Sequence, residues 1–331
     1  MEKEIMLTVK MLAYNHERYI AKAIESILSQ ETEYTYELLI GEDCSTDKTR
    51  EIVRSYQEQY PDIIRVVYQE YNKGCTQNSY SLDINSKGKY IAGCEGDDYW
   101  CDNKRIQKDV DFLEQHPEYV GVSHRCKIVD DDGNEIPENE IPSRLKFWEF
   151  DKEIFTLKDY EKWLTPGHGS TQTRRNVIKE NNLDYSIVYK ASKRVGDRSH
   201  LLIHIVEGDI YCMKDVVSCY RYRVASDQNN FMTIQRKNNL RDEDFLMMTR
   251  LEDWAWDNKR IKLDLSEVKK DRLVGSVVCF MHDRTKKNLK VILSIIGYSR
   301  HPVKYTLYTI KVLFIKLYYW KVLKTDKIIK L

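Results

Sequence analysis

Strand-like and helix-like segments alternate over the N-terminal part of the chain, and this alternation constrains the fold more than any other feature. Four apolar runs have the length and composition of strands, at residues 5–12, 36–40, 65–68 and 90–94. Three intervening segments have the pattern of helices, at residues 17–30, 48–60 and 77–86. Because strands that alternate with helices form parallel sheets covered by those helices, the sequence predicts an α/β fold with a mostly parallel sheet.

The fourth predicted strand runs directly into a cluster of carboxylates. Residues 87–100 read KGKYIAGCEGDDYW, so that Glu95, Asp97 and Asp98 follow the strand with only Gly96 between them. Carboxylates this close repel one another unless a cation compensates them. Mg²⁺ or Mn²⁺, bound through carboxylates and substrate phosphates, is a suitable cation. A solvated acidic turn is the alternative, because Asp and Gly are ordinary turn residues.

Polar turns also follow the first two predicted strands, at Tyr14-Asn15 and at Glu42-Asp43. Ligands of parallel sheets bind at the carboxyl ends of the strands. We therefore expect these turns to meet the acidic cluster in one pocket, which favours ligand binding over a solvated turn. Asp43 has an alternative role, as a negative charge at the start of the helix that begins at Lys48.

Composition excludes some classes of partner. The chain has 53 basic and 52 acidic residues, a net charge of +1, so no overall positive field attracts nucleic acid. Its eight cysteines form no CxxC pair, which is typical of reduced thiols in a cytosolic protein. The N-terminus passes straight into the first strand without a secretory signal. We expect a cytoplasmic protein that does not bind nucleic acid.

Four motifs, in this order, resemble those of the inverting family 2 glycosyltransferases, which have the Rossmann-like GT-A fold. They read VKMLAYNHERYIAKAIESIL, LLIGEDCSTDKT, YNKG and KGKYIAGCEGDDYW. The resemblance implies a nucleotide-sugar donor, most simply a UDP-sugar, and a glycan or lipid-linked acceptor. It further implies a role in making a bacterial surface polysaccharide such as capsule, O-antigen or exopolysaccharide.

The resemblance also implies roles for individual residues. It assigns donor binding to Ala13, Tyr14, Asn15, Glu17, Asp43, Asn72, Gly74, Glu95 and Asp97. Asp43 would hydrogen-bond the nucleobase and Glu95 would lie near the ribose, although Glu replaces the usual Asp there. Mn²⁺ or Mg²⁺ would bind Asp97, with Asp98 as the neighbouring carboxylate, and would stabilise the leaving diphosphate as a Lewis acid. A carboxylate at Asp43 also favours bases with an imide N–H, because other bases leave it unpaired.

Acceptor-side residues are implied further along the chain. Residues 166–176, PGHGSTQTRRN, resemble a stretch that lines the acceptor side of the cleft, here with His168, Ser170 and Thr171. Inverting transfer also needs a base to deprotonate the acceptor hydroxyl. Asp197 resembles the family's base, since it follows Gly196 and precedes an apolar helix-like run. Its alternative role is an N-cap carboxylate. The other candidate bases are Asp209 and Asp184.

The motifs end near residue 226, which predicts two parts. Residues 1–226 would form the catalytic domain, with nucleotide-sugar binding at about 1–130 and the acceptor side at about 131–226. Residues 227–331 would form a helical extension. Its last segment, 286–331, mixes lysines with apolar and aromatic residues. Within it, residues 306–323 predict an interfacial helix on the inner face of the cell membrane. Packing on the catalytic domain or a partner is the alternative.

Two other functions compete with the transferase. A non-catalytic scaffold or nucleotide-binding module of the same fold has no use for a base, so the joint presence of Asp97 and Asp197 disfavours it. A nucleotidyltransferase normally carries a glycine-rich phosphate loop after the first strand, and Ala13-Tyr14-Asn15 is not one. The family's usual histidine after Tyr220-Arg221 is absent here, and Arg223 is the candidate substitute for its positive charge.

Overall fold

The computed structural model describes residues 4–142, 145, 150–180, 183–222 and 239–322, with the backbone alone for residues 180 and 319–322. The chain divides into two compact units, Met1–Ser226 and Asp227–Leu331. Residues 223–238, which include Arg223, lie outside the described part, and so do residues 323–331.

A single mixed sheet forms the centre of the first unit. Its strands are β1 Leu7–Ala13, β2 Tyr36–Glu42, β3 Ile64–Tyr68, β4 Tyr90–Gly93, β5 Tyr99–Trp100, β6 Tyr119–Val129, β7 Ile154–Phe155, β8 Gln172–Arg175 and β9 Asp209–Arg221. Within the described residues the strand order is β3-β2-β1-β4-β8-β6-β9-β5, and β7 pairs with β9. The pairs β1–β2, β2–β3, β1–β4 and β6–β9 are parallel, and the pairs β4–β8, β6–β8, β5–β9 and β7–β9 are antiparallel. The predicted α/β fold with a central sheet is confirmed, and its first four strands are parallel as expected.

Helices cover this sheet. They are α1 Ile20–Leu28, α2 Thr49–Gln59, α3 Cys75–Asn85, α4 Arg105–Gln115, α5 Leu157–Glu161, α6 Val177–Glu180, α7 Ile187–Lys190 and α8 Asp197–Ile205. The apolar positions of β1 and α1 explain their packing, because Val9 and Met11 share one fully buried cluster with Ile24 and Ile27. Burial of these side chains supplies the main driving force for the unit.

One segment differs from its sequence pattern. Residues 210–222 have the pattern of two short strands around Lys214-Asp215, but β9 runs from Asp209 to Arg221 as one strand. Its pairing with β6 shifts register between Ser123 and Cys126. The irregularity absorbs the polar residues without ending the strand, as a β-bulge does.

Strand direction decides where the polar turns meet. Because β8 is antiparallel to both β4 and β6, and β6 is parallel to β9, the strands β1, β2, β4, β6 and β9 all end at the same edge of the sheet. We call this the carboxyl edge. The turns after β1, β2 and β4 therefore converge there, as the sequence predicts.

The second unit is helical where it is described. Its helices are α9 Arg241–Lys259, α10 Ser266–His282, α11 Lys286–Tyr298 and α12 Pro302–Val322. A separate core holds them together, with Phe245, Leu273, Val277, Ile295 and Val312 fully buried. Among the described residues, no helix has both the length and the apolarity that a membrane crossing requires.

Candidate active site

The turns after β1 and β2 are joined by hydrogen bonds at the carboxyl edge. Asn15 has a left-handed backbone (φ 55°), which Asn tolerates better than most residues. Its Oδ1 accepts from the Thr46 N–H at 2.9 Å, and its own N–H donates to Ser45 Oγ at 3.1 Å. Glu17 Oε2 accepts from the Lys48 N–H at 3.0 Å. Asn15 and Glu17 therefore shape the pocket wall.

Ala13 and Tyr14 occupy the same turn but present different groups. Ala13 is buried, and its carbonyl accepts from the Asp43 N–H at 3.0 Å, so it contributes through the backbone. The Tyr14 side chain is 41% exposed. Its ring is thus accessible for stacking on a planar ligand.

Asp43 is buried at the amino end of α3 rather than of α2. Its Oδ1 accepts from the Lys73 N–H at 2.8 Å and its Oδ2 from the Gly74 N–H at 2.9 Å. Gly74 has φ 81°, which favours glycine, and Asn72 Oδ1 also accepts from its N–H, at 3.0 Å. Burial raises the pKa of Asp43, opposed by these two backbone hydrogen bonds. The carboxylate therefore holds the 72–74 turn.

The three carboxylates of the acidic cluster have different surroundings. The Glu95 side chain is exposed, but the atoms of the surrounding cleft displace part of the water around its carboxyl group. This loss of water, together with the charges of Asp97 and Asp197, raises the pKa of Glu95 to about 8. The Asp97 side chain is 28% exposed, and its Oδ2 lies 3.9 Å from His16 Nε2. Because the protein field favours the neutral acid at Glu95, a cation arriving in the cleft would favour its ionised form.

Asp98 is buried, unlike the other two carboxylates of the acidic cluster. Its Oδ1 accepts from the Arg221 N–H at 2.9 Å. Its Oδ2 is buried and finds no hydrogen-bond partner among the residues that the structure describes. Burial, and then the charge of Asp97, raise the pKa of Asp98 well above its ordinary range. A buried carboxylate oxygen without a donor is costly, which is an observation that fits a cation.

Arg221 holds the acidic loop in place, and the sequence did not assign it this role. Its Nε donates to the Asp97 carbonyl at 2.9 Å, and its Nη1 donates to the carbonyls of Asp130 and Asp131 at 2.7 Å each. The guanidinium also lies 4.5 Å from the centre of the Tyr19 ring. The sequence signal was only that Arg221 ends a motif, which does not reveal the carbonyls it binds.

His168 faces the cleft, while its two hydroxyl neighbours are buried behind it. His168 Nδ1 lies 2.7 Å from Ser170 Oγ, and its ring packs 4.4 Å from Tyr220. Burial lowers the pKa of His168, whereas the negative charges of Asp197 and Asp97 act to raise it. Ser170 and Thr171 are buried, and Thr171 Oγ1 donates to the His168 carbonyl at 2.7 Å. These two hydroxyls therefore orient His168 rather than line an open surface.

Asp197 lies at the head of α8 and close to the other cleft residues. Gly196 occupies the N-cap position, so Asp197 is the first helical residue and not the cap. Its side chain is exposed, and its Oδ1 is 3.9 Å from the point that a Cβ on Gly169 would occupy. Its charge acts on the pKa values of both Glu95 and His168.

The other two candidate bases lie elsewhere. Asp209 begins β9, at the edge of the sheet opposite the carboxyl edge, because its partner Tyr119 begins β6. Asp184 lies before α7, where its Oδ1 accepts from the Ser186 N–H at 2.9 Å. Among the three candidates, Asp197 alone shares the cleft with the acidic cluster.

A buried network links α8 to the sheet, and sequence patterns did not reveal it. Asp83 forms an ion pair with Lys10, and its Oδ2 lies within hydrogen-bond distance of His200 Nε2, at 2.7 Å. His200 Nδ1 lies 3.0 Å from the Gly196 carbonyl, directly before Asp197. Burial alone would raise the pKa of Asp83, but Lys10 and His200 hold it below its ordinary range. The network therefore positions the helix that carries Asp197.

The residues present fit a divalent cation that also binds substrate. Among the described residues, no three His, Cys, Asp or Glu side chains form a complete metal cluster. Mg²⁺ and Mn²⁺ sites in phosphate-handling proteins need only one or two carboxylates, because the phosphates and waters supply the other ligands. Asp97 and Asp98 offer such a pair, with the unsatisfied Oδ2 of Asp98 as the supporting observation.

Comparisons with known proteins agree with this arrangement. The model described as Glycosyl transferase family 2 matches residues 8–181. The chain is 28% identical over 240 residues to an uncharacterized protein of Mycobacterium bovis, covering 70% of this chain and 63% of that protein. It is 33% identical over 108 residues to TuaG of Bacillus subtilis, named as a glycosyltransferase of teichuronic acid biosynthesis, covering 33% of this chain and 42% of TuaG. The chain thus spans less than two thirds of the length of these relatives.

Solved structures resemble the whole fold. S. aureus TarS 1-349 in complex with UDP has a TM-score of 0.60 at 13% identity, covering 99% of this chain and 94% of that one. The mannosyltransferase PcManGT from Pyrobaculum calidifontis, in complex with GDP-Man and Mn²⁺, has a TM-score of 0.52 at 16% identity, covering 97% and 89%. At these identities the likeness concerns the fold, and it confirms the expected GT-A type.

The fold is of the GT-A type, in which a mixed sheet gathers carboxylates and polar turns at its carboxyl edge. The family model covers more than half of the chain. The protein belongs to glycosyl transferase family 2, and the expected family is confirmed.

Proposed function

We propose that the protein is an inverting, metal-dependent glycosyltransferase that moves a sugar from a UDP-sugar to a glycan or lipid-linked acceptor. The observation that carries the proposal is the convergence of Glu95, Asp97 and Asp197 on one cleft at the carboxyl edge. The relationship to TuaG supports a role in bacterial surface polysaccharide synthesis, and the UDP in the TarS complex supports the nucleotide.

Donor recognition is proposed for the residues around the first two turns. Each oxygen of Asp43 accepts one backbone N–H, and a carboxylate oxygen has a further lone pair for an imide N–H of uracil. The exposed ring of Tyr14 would stack on the base. Asn15, Glu17, Asn72 and Gly74 would maintain the walls of this pocket, and Glu95 would contact the ribose.

The leaving diphosphate would be stabilised at the acidic cluster. Asp97 and Asp98 would hold Mn²⁺ or Mg²⁺, which supplies Lewis-acid stabilisation of the developing negative charge. Arg221 keeps the backbone of this loop in position through the Asp97 carbonyl. The Mn²⁺ in the PcManGT complex supports this choice of metal.

Asp197 is proposed as the base. Its carboxylate would accept the proton of the acceptor hydroxyl while that oxygen attacks the anomeric carbon, opposite the leaving diphosphate. One displacement of this kind inverts the anomeric configuration. His168, held by Ser170 and Thr171, would bind the acceptor beside the base.

Substitution of the base tests the proposal. Asp197→Asn removes a general base and should lower the transfer rate by about 10²- to 10⁴-fold, while calorimetry with Mn²⁺ shows UDP binding unchanged. Asp209→Asn is the matched control, because that carboxylate lies at the opposite edge of the sheet, and it should keep the wild-type rate. Near wild-type transfer by Asp197→Asn would disprove the assignment of the base. Absence of metal-dependent nucleotide binding by the wild type would disprove the donor site itself.

The proposal includes the division of labour and the place of action. Residues 1–226 would catalyse transfer, with the donor bound by about 1–130 and the acceptor by about 131–226. Residues 227–331 would keep the enzyme at the cytoplasmic face of the cell membrane, where a lipid-linked acceptor is presented. Fractionation of cells that produce the full chain, or the chain without residues 304–331, tests this location by whether the truncation moves the protein out of the membrane fraction.

A further inference from the structure

Helix α12 presents an exposed apolar stripe on the side opposite its packed face. Its packed face includes Thr309 and Val312, which are buried in the second unit. Four large apolar side chains recur at helical spacing on the other side and are exposed: Val303 by 73%, Leu307 by 63%, Ile310 by 45% and Phe314 by 71%. We call these four residues the outer stripe. Exposed apolar side chains aligned in this way mark an interaction surface.

Every Asp, Glu, Lys or Arg position in the sequence segment that carries the outer stripe is basic. Residues 284–322, which contain α11 and α12, have nine Lys and Arg residues and no Asp or Glu. Lys304 and Lys311 are exposed, and each directly follows a residue of the outer stripe. One residue on an α-helix corresponds to a rotation of about 100°, so both lysines lie along the same flank of the stripe.

We propose that the outer stripe of α12 docks on an anionic lipid surface, with the helix lying in the plane of the interface. An amphipathic helix with basic residues beside its apolar face binds in this way, burying the apolar side chains near the headgroups. Juxtaposed lysines add attraction to anionic lipid.

The positive charge favours a lipid over a second copy of the chain. A symmetric dimer would place the same patch against itself, bringing Lys304 and Lys311 of one copy near those of the other. Like charges opposed across an interface cost free energy, and residues 284–322 contain no acidic residue to compensate them. Glu267 of α10 lines a pocket with Lys311, but it already pairs with Lys270. Anionic headgroups supply the complementary charge.

Vesicle binding by the full-length protein tests the proposal without any sugar transfer, so its outcome is separate from that of the proposed reaction. The protein should sediment with vesicles of phosphatidylcholine that contain phosphatidylglycerol, and much less with phosphatidylcholine alone. Leu307→Glu with Phe314→Glu removes two large apolar side chains from the interface and should lower the partition coefficient about 100-fold or more. Lys304→Gln with Lys311→Gln should lower it about fivefold per lysine, on anionic vesicles only.

A matched control separates the outer stripe from a general effect of added charge. Ile84 is 57% exposed on α3 of the first unit, so Ile84→Glu makes the same kind of change at an isolated surface position. It should leave vesicle binding unchanged. Wild-type binding by the Leu307/Phe314 variant would overturn the proposal, as would equal binding to both kinds of vesicle. A dimer in light scattering that the same variant dissociates would also overturn it, because the stripe would then be a contact between copies.

Discussion

Replacement of Arg221 separates its role in positioning the acidic loop from its role in stability. Arg221→Met removes three side-chain hydrogen bonds, to the carbonyls of Asp97, Asp130 and Asp131. It also removes the contact with the Tyr19 ring. A hydrogen bond from a charged donor contributes about 1.5–3 kcal/mol, but the freed carbonyls lie in turns that water reaches in part, so we expect a loss of about 3–5 kcal/mol in the free energy of unfolding.

The effect on metal binding follows from the backbone contact. Without the Nε donor, the Asp97 carbonyl loses its anchor, and the carboxylates of the loop are no longer held ready for a cation. The loop must then become ordered when the cation binds, and this ordering reduces the binding free energy. We expect the affinity for Mn²⁺ in the presence of UDP to fall at least about tenfold, or about 1.4 kcal/mol. Electron paramagnetic resonance of free Mn²⁺ measures this without activity, and thermal melting measures stability in parallel.

Arg175 offers a matched control for Arg221. Its Nε donates to the Tyr119 carbonyl, and its Nη2 donates to the carbonyls of Leu113 and His116, at the edge opposite the acidic cluster. Arg175→Met should therefore lower stability by a similar amount and leave Mn²⁺ affinity unchanged. If Arg221→Met does not fold, Arg221→Lys keeps the charge and loses the forked geometry. Wild-type Mn²⁺ affinity in the folded Arg221 variant, or an equal loss in the Arg175 variant, would refute the reasoning.

Two further predictions concern the pocket wall and the buried network. Tyr14→Ala should weaken UDP binding in calorimetry roughly 5- to 100-fold, as expected for loss of base stacking, whereas Tyr60→Ala, which removes an equally exposed ring, should not. Asp83→Asn leaves Lys10 buried without its partner and should cost about 3–5 kcal/mol in urea unfolding at pH 7. Because Lys10 and His200 hold the folded-state pKa of Asp83 below the ordinary 3.8, its contribution is complete above that pH and is lost as the pH falls further. A difference between wild type and Asp83→Asn that stays constant down to pH 2 would contradict this account.

Local patterns along the chain were sufficient for the parallel part of the sheet and for the turns that meet at its carboxyl edge. The strand–helix alternation predicted the parallel part of the sheet, and the turns after β1, β2 and β4 were correctly expected to converge. This succeeds because apolar periodicity and chain direction are properties of consecutive residues. The helix beginning at Asp197 was predicted for the same reason.

Side-chain partners distant in sequence were beyond such patterns. Ser170 and Thr171 look like cleft residues in the sequence, but the chain packs them behind His168. Asp209 resembled Asp197 as a candidate base until strand pairing placed it at the opposite edge. The pairing of Asp83 with His200 joins residues more than a hundred positions apart. A pattern reports the face on which a residue lies, not the distant residue that it meets.

The acidic cluster shows the same division at a single motif. Sequence alone determined that Glu95, Asp97 and Asp98 crowd the end of a strand and that their charge needs compensation. Only the tertiary structure decided that Asp98 is buried, with one oxygen bonded to the Arg221 N–H and the other without a donor among the described residues, while Glu95 is exposed and Asp97 partly exposed. The physical reason is that repulsion between neighbouring charges follows from spacing in the chain, whereas burial and hydrogen bonding depend on strands brought together from distant segments.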